Sequence, residues 1–385
     1  MERFRIFNFI ALVTVLLTAS AATSATEHLL YIGTYTGTGS EGIYAFRFDP
    51  ATGESSALGL AAATENPSFL AIDPEGRILY AANELEEFRD EPTGAVSVFA
   101  IDQGSGMLKL MQQVSSLGGS PAHLSLDMSA RNLLVANYGG GNMAVFPVGR
   151  DGRLGGHSAF VQNSGSSVNP ERQEGPHAHF IQVTPDNRLA ITADLGLDKL
   201  LLHRFDADTG SLTPGNPAFV KADPGWGPRH VAFAPSGKHV YVVNELASTA
   251  TVFAYQPDLG MLDRIQTIST LPEEYVGPNT GAEIEVHATG RTLYVSNRGH
   301  DSIAVFTIDP DDGRLRSLEW APSGGTMPRN FVIDPTGQWL LAANQTSNSI
   351  KLLRIDPESG RLTPTDRSLE VNSPVCLRFV SQSGD

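Results

Sequence analysis

Runs of apolar residues that end in asparagine or aspartate recur along almost the whole chain. The run Leu79–Asn83 reads Leu-Tyr-Ala-Ala-Asn, and related runs follow at intervals of roughly 50 residues. These related runs are Leu134–Asn137, Ala190–Asp194, Val240–Asn244, Leu293–Asn297 and Leu340–Asn344. A nearly continuous apolar run of this length predicts a strand that is buried on both faces. Self-similarity at a fixed period predicts a repeat architecture built from such strands.

Each repeat places three further strands around the buried one. A short apolar strand such as Ser68–Ile72 comes first, and it ends at a turn, Asp73–Gly76, whose proline and glycine suit turn dihedrals. The buried strand follows, and then a third strand of alternating character, such as Ser302–Phe306. A turn such as Asp309–Gly313 leads to a short outer strand. Four strands per unit without helical periodicity predict the blade of a β-propeller.

The repeat occurs seven times. One incomplete unit spans about 29–60, and six more units begin near Pro67, Pro121, Ala178, Pro228, Gly281 and Pro328. The incomplete unit lacks an opening strand, and Pro374–Phe379 near the C-terminus matches one. We therefore expect an all-β, seven-bladed β-propeller of four-stranded blades. The C-terminal strand should pair into the N-terminal blade and close the ring, which removes an exposed sheet edge.

Charge and cysteine content narrow the possible partners. The chain has 385 residues and a formal net charge of −15 at pH 7. This balance argues against a nucleic-acid or anionic-membrane surface, and an anionic substrate would need a local cluster of arginines. Cys376 is the single cysteine, which excludes an internal disulfide, a thiolate metal cluster and a redox cysteine pair.

The first 25 residues form a segment that we expect to lie outside the propeller. Arg3 and Arg5 precede the apolar stretch Ile6–Leu17, and small residues lead from there to Ala25. This order is typical of a signal peptide cleaved after Ala25. We therefore expect residues 26–385 to form a single-domain exported protein, periplasmic or secreted, without stable membrane insertion. A retained membrane anchor is the alternative, because the stretch approaches the length of a membrane span.

Comparison of the aligned units separates constant scaffold positions from variable polar ones. The residue one past each unit start includes His179, Arg229 and Arg329. The residue after that includes His230 and Glu283. Because the innermost strands of a propeller line its central channel, polar variation at these positions predicts a site there.

A second variable position follows the asparagine that ends each buried strand. The asparagines themselves suit a structural role, in which the side chain satisfies backbone groups. The residue after them includes Glu245 and Arg298, which should come from adjacent blades at one level. Together with His179 and Arg229, these two residues form the set of side chains in the chain that is best equipped for catalysis. A structural salt bridge between glutamate and arginine is the alternative interpretation.

Phrases at these positions resemble the lactonase-type seven-bladed propellers, the family of bacterial 6-phosphogluconolactonase and fungal carboxy-muconate cyclase. The matching phrases are Tyr31–Thr36, Gly175–His179, Gly227–His230, Val243–Leu246 and Ser296–Ser302. The resemblance covers roughly Leu29 to Phe379. It implies active residues at His179 (or His177), Arg229, Glu245 and Arg298, and no metal ion or other cofactor.

The chemistry of lactone opening gives each of these residues a possible role. The reaction needs an activated water, a stabilised oxyanion and a proton for the leaving alkoxide. We predict that Glu245 or His179 acts as general base and acid. Arg229 would stabilise the oxyanion, and Arg298 with Arg329 would bind the substrate anion.

Three further residues are predicted to contact the substrate: His177, His230 and Glu283. His177 and His179 alternate along a strand, so their side chains should point to opposite faces and not share a metal ion. His230 and Glu283 occupy the same aligned position in neighbouring blades, which makes them candidate partners of each other.

The leading hypothesis is hydrolysis of a sugar lactone, as by 6-phosphogluconolactonase, at the mouth of the central channel. The partner would be a small anionic lactone and not a nucleic acid. One alternative is a cycloisomerase that forms or opens muconolactones, and another is a non-catalytic propeller that binds a ligand or partner. Predicted export complicates the choice of substrate, because 6-phosphogluconolactone is made in the cytoplasm. The identity of the lactone and the oligomeric state are left open.

Overall fold

The structure is a computed structural model that describes residues 1–2, 27–37 and 39–380. The described residues form 28 strands in seven four-stranded sheets, which confirms the predicted seven-bladed β-propeller. Apart from Met1 and Glu2, the predicted signal peptide lies outside the described residues. No described segment forms a helix long and apolar enough to span a bilayer.

The blades are numbered from the N-terminus, and each is given from its inner to its outer strand. Blade 1 contains β28 (Pro374–Phe379), β1 (His28–Thr34), β2 (Gly42–Phe48) and β3 (Ser55–Ala63). Blade 2 contains β4 (Pro67–Ile72), β5 (Ile78–Asn83), β6 (Ala95–Ile101) and β7 (Leu108–Ser115). Blade 3 contains β8 (Pro121–Leu126), β9 (Asn132–Asn137), β10 (Asn142–Pro147) and β11 (Ala159–Gln162). Blade 4 contains β12 (Ala178–Val183), β13 (Leu189–Asp194), β14 (Lys199–Asp206) and β15 (Ser211–Lys221).

The remaining three blades follow the same order. Blade 5 contains β16 (Pro228–Phe233), β17 (His239–Asn244), β18 (Thr249–Gln256) and β19 (Met261–Ser269). Blade 6 contains β20 (Thr280–Val286), β21 (Thr292–Arg298), β22 (Ser302–Ile308) and β23 (Leu315–Pro322). Blade 7 contains β24 (Pro328–Ile333), β25 (Trp339–Asn344), β26 (Ser349–Ile355) and β27 (Leu362–Glu370).

The C-terminal strand closes the ring as predicted. β28 pairs antiparallel with β1, with Leu30 opposite Phe379 and Ile32 opposite Leu377. The seven inner strands contact one another in sequence around the ring, from β28 through β4, β8, β12, β16, β20 and β24 back to β28. Buried apolar clusters pack between neighbouring sheets, so each blade is held by burial of apolar surface on both of its faces.

The tyrosine of the repeated phrase joins neighbouring blades. Its buried hydroxyl donates a hydrogen bond to a glycine carbonyl in the outer turn of the next blade. The pairs are Tyr31 with Gly106 (3.0 Å), Tyr80 with Gly152 (2.8 Å), Tyr241 with Gly313 (3.1 Å) and Tyr294 with Gly360 (2.8 Å). A buried phenol needs such a partner, and here the partner fixes the spacing of two blades.

The asparagine that ends the phrase has the predicted structural role. Four of these residues donate from the side-chain amide to a backbone carbonyl just after the outer strand of the preceding blade. They are Asn83 to Glu65 (2.5 Å), Asn137 to Ser116 (2.9 Å), Asn297 to Thr270 (2.7 Å) and Asn344 to Ser323 (3.1 Å). The constant asparagine therefore supports the connections between blades.

A β-bulge interrupts the start of the inner strands. In five blades two residues of the inner strand stand opposite one residue of its neighbour. The unpaired residues are Ser68, Ala122, His179, Arg229 and Arg329. A bulge redirects the side chain of its extra residue and is over-represented next to active sites. Three of the predicted site residues, His179, Arg229 and Arg329, thus occupy the bulge position of their blades.

Candidate active site

The strand register places the two variable positions at the same end of the ring. Pro228 at the start of β16 lies opposite Asn244 at the end of β17, and the same pairing joins β24 to β25. The residues that open the inner strands and those that follow the repeated asparagine are therefore neighbours.

Glu245 is the centre of an arginine cluster at this end. Its Oε2 lies 3.0 Å from Nε of Arg229 and 3.0 Å from Nη2 of Arg298, and its Oε1 accepts a 2.7 Å hydrogen bond from Arg172. Arg229 and Glu245 belong to blade 5, Arg298 ends β21 of blade 6, and Arg172 lies in the connection between β11 and β12. Glu245 and the two inner arginines are buried, whereas the Arg172 side chain is 39% exposed. The structure thus assembles three of the four predicted catalytic residues.

The inner arginines keep donors that no group among the described residues accepts. Arg229 donates from Nη1 to the carbonyl of Ala282 at 2.7 Å, and Arg298 donates from Nη2 to that of Gly281 at 2.9 Å. The Arg229 Nε–H is close to Glu245 but is not aimed at it, so this contact is an ion pair without a well-directed hydrogen bond. The Nε atoms of both arginines are buried and have no hydrogen-bond partner among the described residues.

The charges around Glu245 fix its ionisation. Burial alone would raise the pKa of the carboxyl, but Arg298, Arg229 and Arg172 outweigh that effect and lower the pKa to about 2. Glu245 is therefore a carboxylate at any physiological pH and a weak base. Burial and the neighbouring Arg298 and Arg329 lower the pKa of Arg229 to about 9, which leaves it a cation at neutral pH.

His179 lies beside this cluster as a neutral imidazole. It is buried, and its ring centroid is 5.5 Å from that of Tyr138 and 5.1 Å from that of His230. Burial, together with the charge of Arg229, holds its pKa well below the usual value of 6.5. Its Nδ1 is buried and has no hydrogen-bond partner in the described chain.

His177 contacts the same tyrosine from another side. Its ring stacks on Tyr138 at 4.4 Å, its Nδ1 lies 3.0 Å from the Tyr138 carbonyl oxygen, and its Nε2 lies 3.1 Å from Glu174. His177 and His179 therefore both contact Tyr138, the first by stacking and the second edge-on. The bulge at His179 interrupts the strand alternation on which the expected separation of the two rings depended, and that separation stays a prediction.

Arg329 lies at the same end of the ring and is joined by hydrogen bonds to residues of blades 1 and 2. Its Nη2 donates to the Tyr35 hydroxyl at 2.8 Å, and that hydroxyl donates to Oε2 of Glu84 at 2.9 Å. Burial raises the pKa of the Tyr35 phenol, and Glu84 raises it further. Together they outweigh Arg329, which lowers it. Tyr35 and Glu84 follow β1 and β5, at the same position in their blades that Glu245 has in blade 5.

His230 and Glu283 form a buried pair in the next layer along the inner strands. His230 Nδ1 lies 2.8 Å from Oε1 of Glu283, and the Asn330 amide donates to the other carboxylate oxygen. Burial lowers the pKa of His230 to about 4, although Glu283 opposes this, so the imidazole is neutral near pH 7. Its Nε2 is buried without a partner among the described residues. No described group of three His, Cys, Asp or Glu side chains could hold a metal ion.

Arg172 is the site residue that the repeat comparison missed. It has no counterpart in the other units, because it lies in the connection 163–177 between blades 3 and 4. That connection is longer than any other between two blades; the connections 116–120 and 323–327 are examples of shorter ones. Its unusual length was the feature of the sequence that could have indicated a site residue there. Arg172 also donates to the Tyr138 hydroxyl at 3.3 Å, so the loop closes over the arginine cluster from blade 3 to blade 5.

Comparisons with known proteins find similarity to the lactonase family of seven-bladed propellers. A family model described as "Lactonase, 7-bladed beta-propeller" matches residues 29–379. A 6-phosphogluconolactonase of Bacillus subtilis is 38% identical over 358 residues, which cover 93% of this chain and 99% of that protein. The solved structure of a periplasmic gluconolactonase of Pseudomonas aeruginosa has a TM-score of 0.86 and 36% identity, over 92% of this chain and 99% of that one. A 6-phosphogluconolactonase of Formosa agariphila is 32% identical over 80% of this chain and 86% of its own.

Proposed function

We propose that this chain, which belongs to the lactonase family of seven-bladed β-propellers, hydrolyses a sugar lactone at the mouth of its central channel. The observation that carries the proposal is a set of four buried polar atoms without hydrogen-bond partners among the described residues. They are Nε of Arg229, Nε of Arg298, Nδ1 of His179 and Nε2 of His230. Buried polar atoms are normally hydrogen-bonded, so a group of donors and neutral imidazoles left open together suits a polar ligand.

The local charge selects an anionic substrate. Arg172, Arg229, Arg298 and Arg329 carry four positive charges, and Glu245 and Glu84 carry two negative charges, so the cluster keeps an excess of two positive charges. This excess lies in a chain of net charge −15. Guanidinium groups bind phosphate and carboxylate oxygens through paired N–H donors. A lactone that bears a phosphate or carboxylate group therefore suits the site.

The proton chemistry falls to His179 in this proposal. A neutral imidazole can take a proton from water, whereas the Glu245 carboxylate is too weak a base with three arginines around it. The water oxygen bonds to the lactone carbonyl carbon, and the negative charge that develops on the carbonyl oxygen meets Arg229. The ring C–O bond then breaks, and His179 returns the proton to the leaving oxygen, which yields a hydroxy acid.

The other residues orient this arrangement. Glu245 fixes the planes of Arg229 and Arg298, so that their Nε–H groups stay in place when charge develops. Arg298 and Arg329 bind the substrate anion. His177 holds the Tyr138 ring, and His230, oriented by Glu283, contacts the substrate from below His179.

Export is part of the proposal. Residues 1–25 have the order of a signal peptide, and one relative of similar fold is a periplasmic gluconolactonase. We place the mature protein, 26–385, in the periplasm or outside the cell. Cell fractionation with mass determination of the N-terminus tests this, and a full-length cytoplasmic protein would contradict it.

A panel of lactones tests the activity itself. Purified protein is assayed with 6-phosphogluconolactone, gluconolactone and muconolactone, alongside His179→Gln, Arg229→Ala and the double variant Arg229→Ala, Glu245→Ala. The site variants should lose roughly 100-fold or more in kcat/KM on the accepted lactone. The control Arg316→Ala, an 80% exposed side chain, should leave the rate unchanged. The catalytic proposal is falsified if wild type and the double variant give equal rates on every lactone while both remain folded.

A further inference from the structure

A second cavity, of about 390 Å³, lies along the inner strands away from the arginine cluster. All seven inner strands contribute to its lining. One wall is the layer that contains Phe69, His123, Phe180 and Glu283. The bulge residues His179, Arg229 and Arg329 come before this layer along their strands and do not line the cavity. The cavity is therefore separated from the candidate active site by one layer of side chains.

That intervening layer is densely packed. The His123 ring lies between Phe69 and Phe180, with ring centroids 4.1 Å and 4.2 Å apart, and His230 packs against all three at 5.4–5.8 Å. A ligand bound in the second cavity would thus occupy a site distinct from the one proposed for the lactone.

Arg378 supplies a cation to this cavity. The guanidinium lies 4.6 Å from the centroid of the Phe69 ring, and its Nη1 donates to the carbonyl of Leu377 at 2.7 Å. No described carboxylate forms an ion pair with it. The guanidinium is partly buried, and its other N–H donors have no hydrogen-bond partner among the described residues, so they are open to an anion.

Glu285 and Gln182 add two uncharged polar groups to the lining. Glu285 accepts a hydrogen bond from the Ile333 N–H at 3.2 Å, and burial with the nearby Glu283 raises the pKa of Glu285 to about 8. At neutral pH its carboxyl group is mostly protonated and is available to donate a hydrogen bond to a ligand. Among the other lining residues, Glu283 is a carboxylate whose oxygens are already bonded to His230 and Asn330, and His123 is neutral. The rest of the lining is apolar and includes Phe233, Val286 and Val332.

We infer that this cavity is a second binding site, which takes a small organic monocarboxylate with an apolar body. The carboxylate would receive paired N–H donors from Arg378 and a further hydrogen bond from Glu285 or Gln182, and the apolar body would contact the aromatic and aliphatic walls. This site does not depend on the lactonase proposal. The volume of about 390 Å³ accommodates a ring-sized ligand.

A ¹⁹F NMR titration with 4-fluorobenzoate tests the inference directly. The neutral analogue 4-fluorobenzamide is the matched probe, because it keeps the ring and removes the charge. 4-Fluorobenzoate should bind at least about tenfold more tightly than the amide. Arg378→Met keeps an apolar stem over Phe69 and removes the guanidinium, so it should weaken benzoate binding by about tenfold or more. Lactone hydrolysis by Arg378→Met should remain at the wild-type rate.

The pH dependence provides an independent readout. Besides Glu283 and Arg378, the titratable groups around Glu285 are Tyr294 on β21 and the neutral His123 and His230 in the intervening layer. As pH rises through about 8, Glu285 ionises and repels the carboxylate, so affinity should fall severalfold between pH 7 and 9. Glu285→Gln keeps a neutral donor at every pH and should flatten this profile. If Arg378→Met does not fold, the pH profile of Glu285→Gln still tests the inference.

Three outcomes would overturn the inference. One is equal binding of benzoate and benzamide. Another is benzoate affinity that is unchanged in folded Arg378→Met and has the same pH profile in Glu285→Gln. The third is binding that disappears in Arg229→Ala while it persists in Arg378→Met, which would place the probe in the arginine cluster instead.

Discussion

Arg172 and Glu245 are 73 positions apart in the chain, yet Arg172 Nη2 donates a 2.7 Å hydrogen bond to Oε1 of Glu245. The contact joins a loop outside the repeat to the buried centre of the arginine cluster. Burial lowers the pKa of Arg172, but the charge of Glu245 and the hydrogen bonds to Tyr138 and Glu245 together outweigh burial, so the pKa is raised overall. The loop 163–177 therefore contributes one cation to the arginine cluster.

Removal of the Arg172 charge should weaken substrate binding more than it slows chemistry. Arg172→Ala takes away one cation at the partly exposed edge of the cluster, so KM for the accepted lactone should rise about tenfold with a smaller change in kcat. Steady-state kinetics measure both constants. Arg172→Lys should recover part of the affinity, and Arg316→Ala serves as the surface control. An unchanged KM in Arg172→Ala would show that the loop does not contact the substrate.

The ion pairs of Glu245 should make the protein sensitive to acid. The folded-state pKa of about 2 lies below the ordinary value of 4.5, so the carboxylate stabilises the fold fully above pH 4.5. That contribution is lost as pH falls from 4.5 through 2. Glu245→Gln should lower the free energy of unfolding by about 2–4 kcal/mol at pH 7, because it leaves buried arginines unpaired.

Denaturant unfolding of both proteins between pH 7 and 3 measures this difference. The gap between wild type and Glu245→Gln should narrow below pH 4.5. Glu283 also has a lowered pKa, of about 2, but it is present in both proteins and cancels in the comparison. A gap that stays constant down to pH 3 would contradict the assignment.

A neutral His179 predicts a simple pH profile for the reaction. Its pKa is held well below 6.5, so the base is already unprotonated near neutrality. The value of kcat/KM should be flat from about pH 6.5 to 8 and should fall only in acid. Stopped assays with the accepted lactone, corrected for spontaneous hydrolysis, measure this. A steep rise between pH 7 and 8 would point to a different base.

Ring closure by β28 should be essential for folding. Truncation after Ser373 removes the inner strand of blade 1 and exposes the edge of β1, which pairs with β28 through Leu30 and Ile32. An unpaired edge and an opened apolar cluster favour aggregation. The truncated protein should be insoluble or should melt at least 10 °C lower, on the order expected for loss of several kcal/mol. Truncation after Val380 is the control, and equal melting of the two proteins would contradict a closing role.

The repeat in the sequence was enough to predict most of the architecture. Strand number, blade count and closure by Pro374–Phe379 were all predicted, because alternation and turn chemistry are encoded within a few neighbouring residues. The same comparison brought out Arg229, Glu245 and Arg298 as variable positions on a constant scaffold. The structure then showed that Arg229 and Arg298 each lie 3.0 Å from Oε2 of Glu245.

Other features depend on contacts that no repeat unit contains. Arg172 reaches Glu245 from an inserted loop, and His177 and His179 both contact Tyr138, which belongs to the preceding blade. The cavity beside Arg378 and Glu285 exists only when all seven inner strands are brought together around one axis. The sequence by itself determined the blades and the positions at which they differ. Only the tertiary structure decided which of those positions meet, because side chains on different blades become neighbours only when the ring closes.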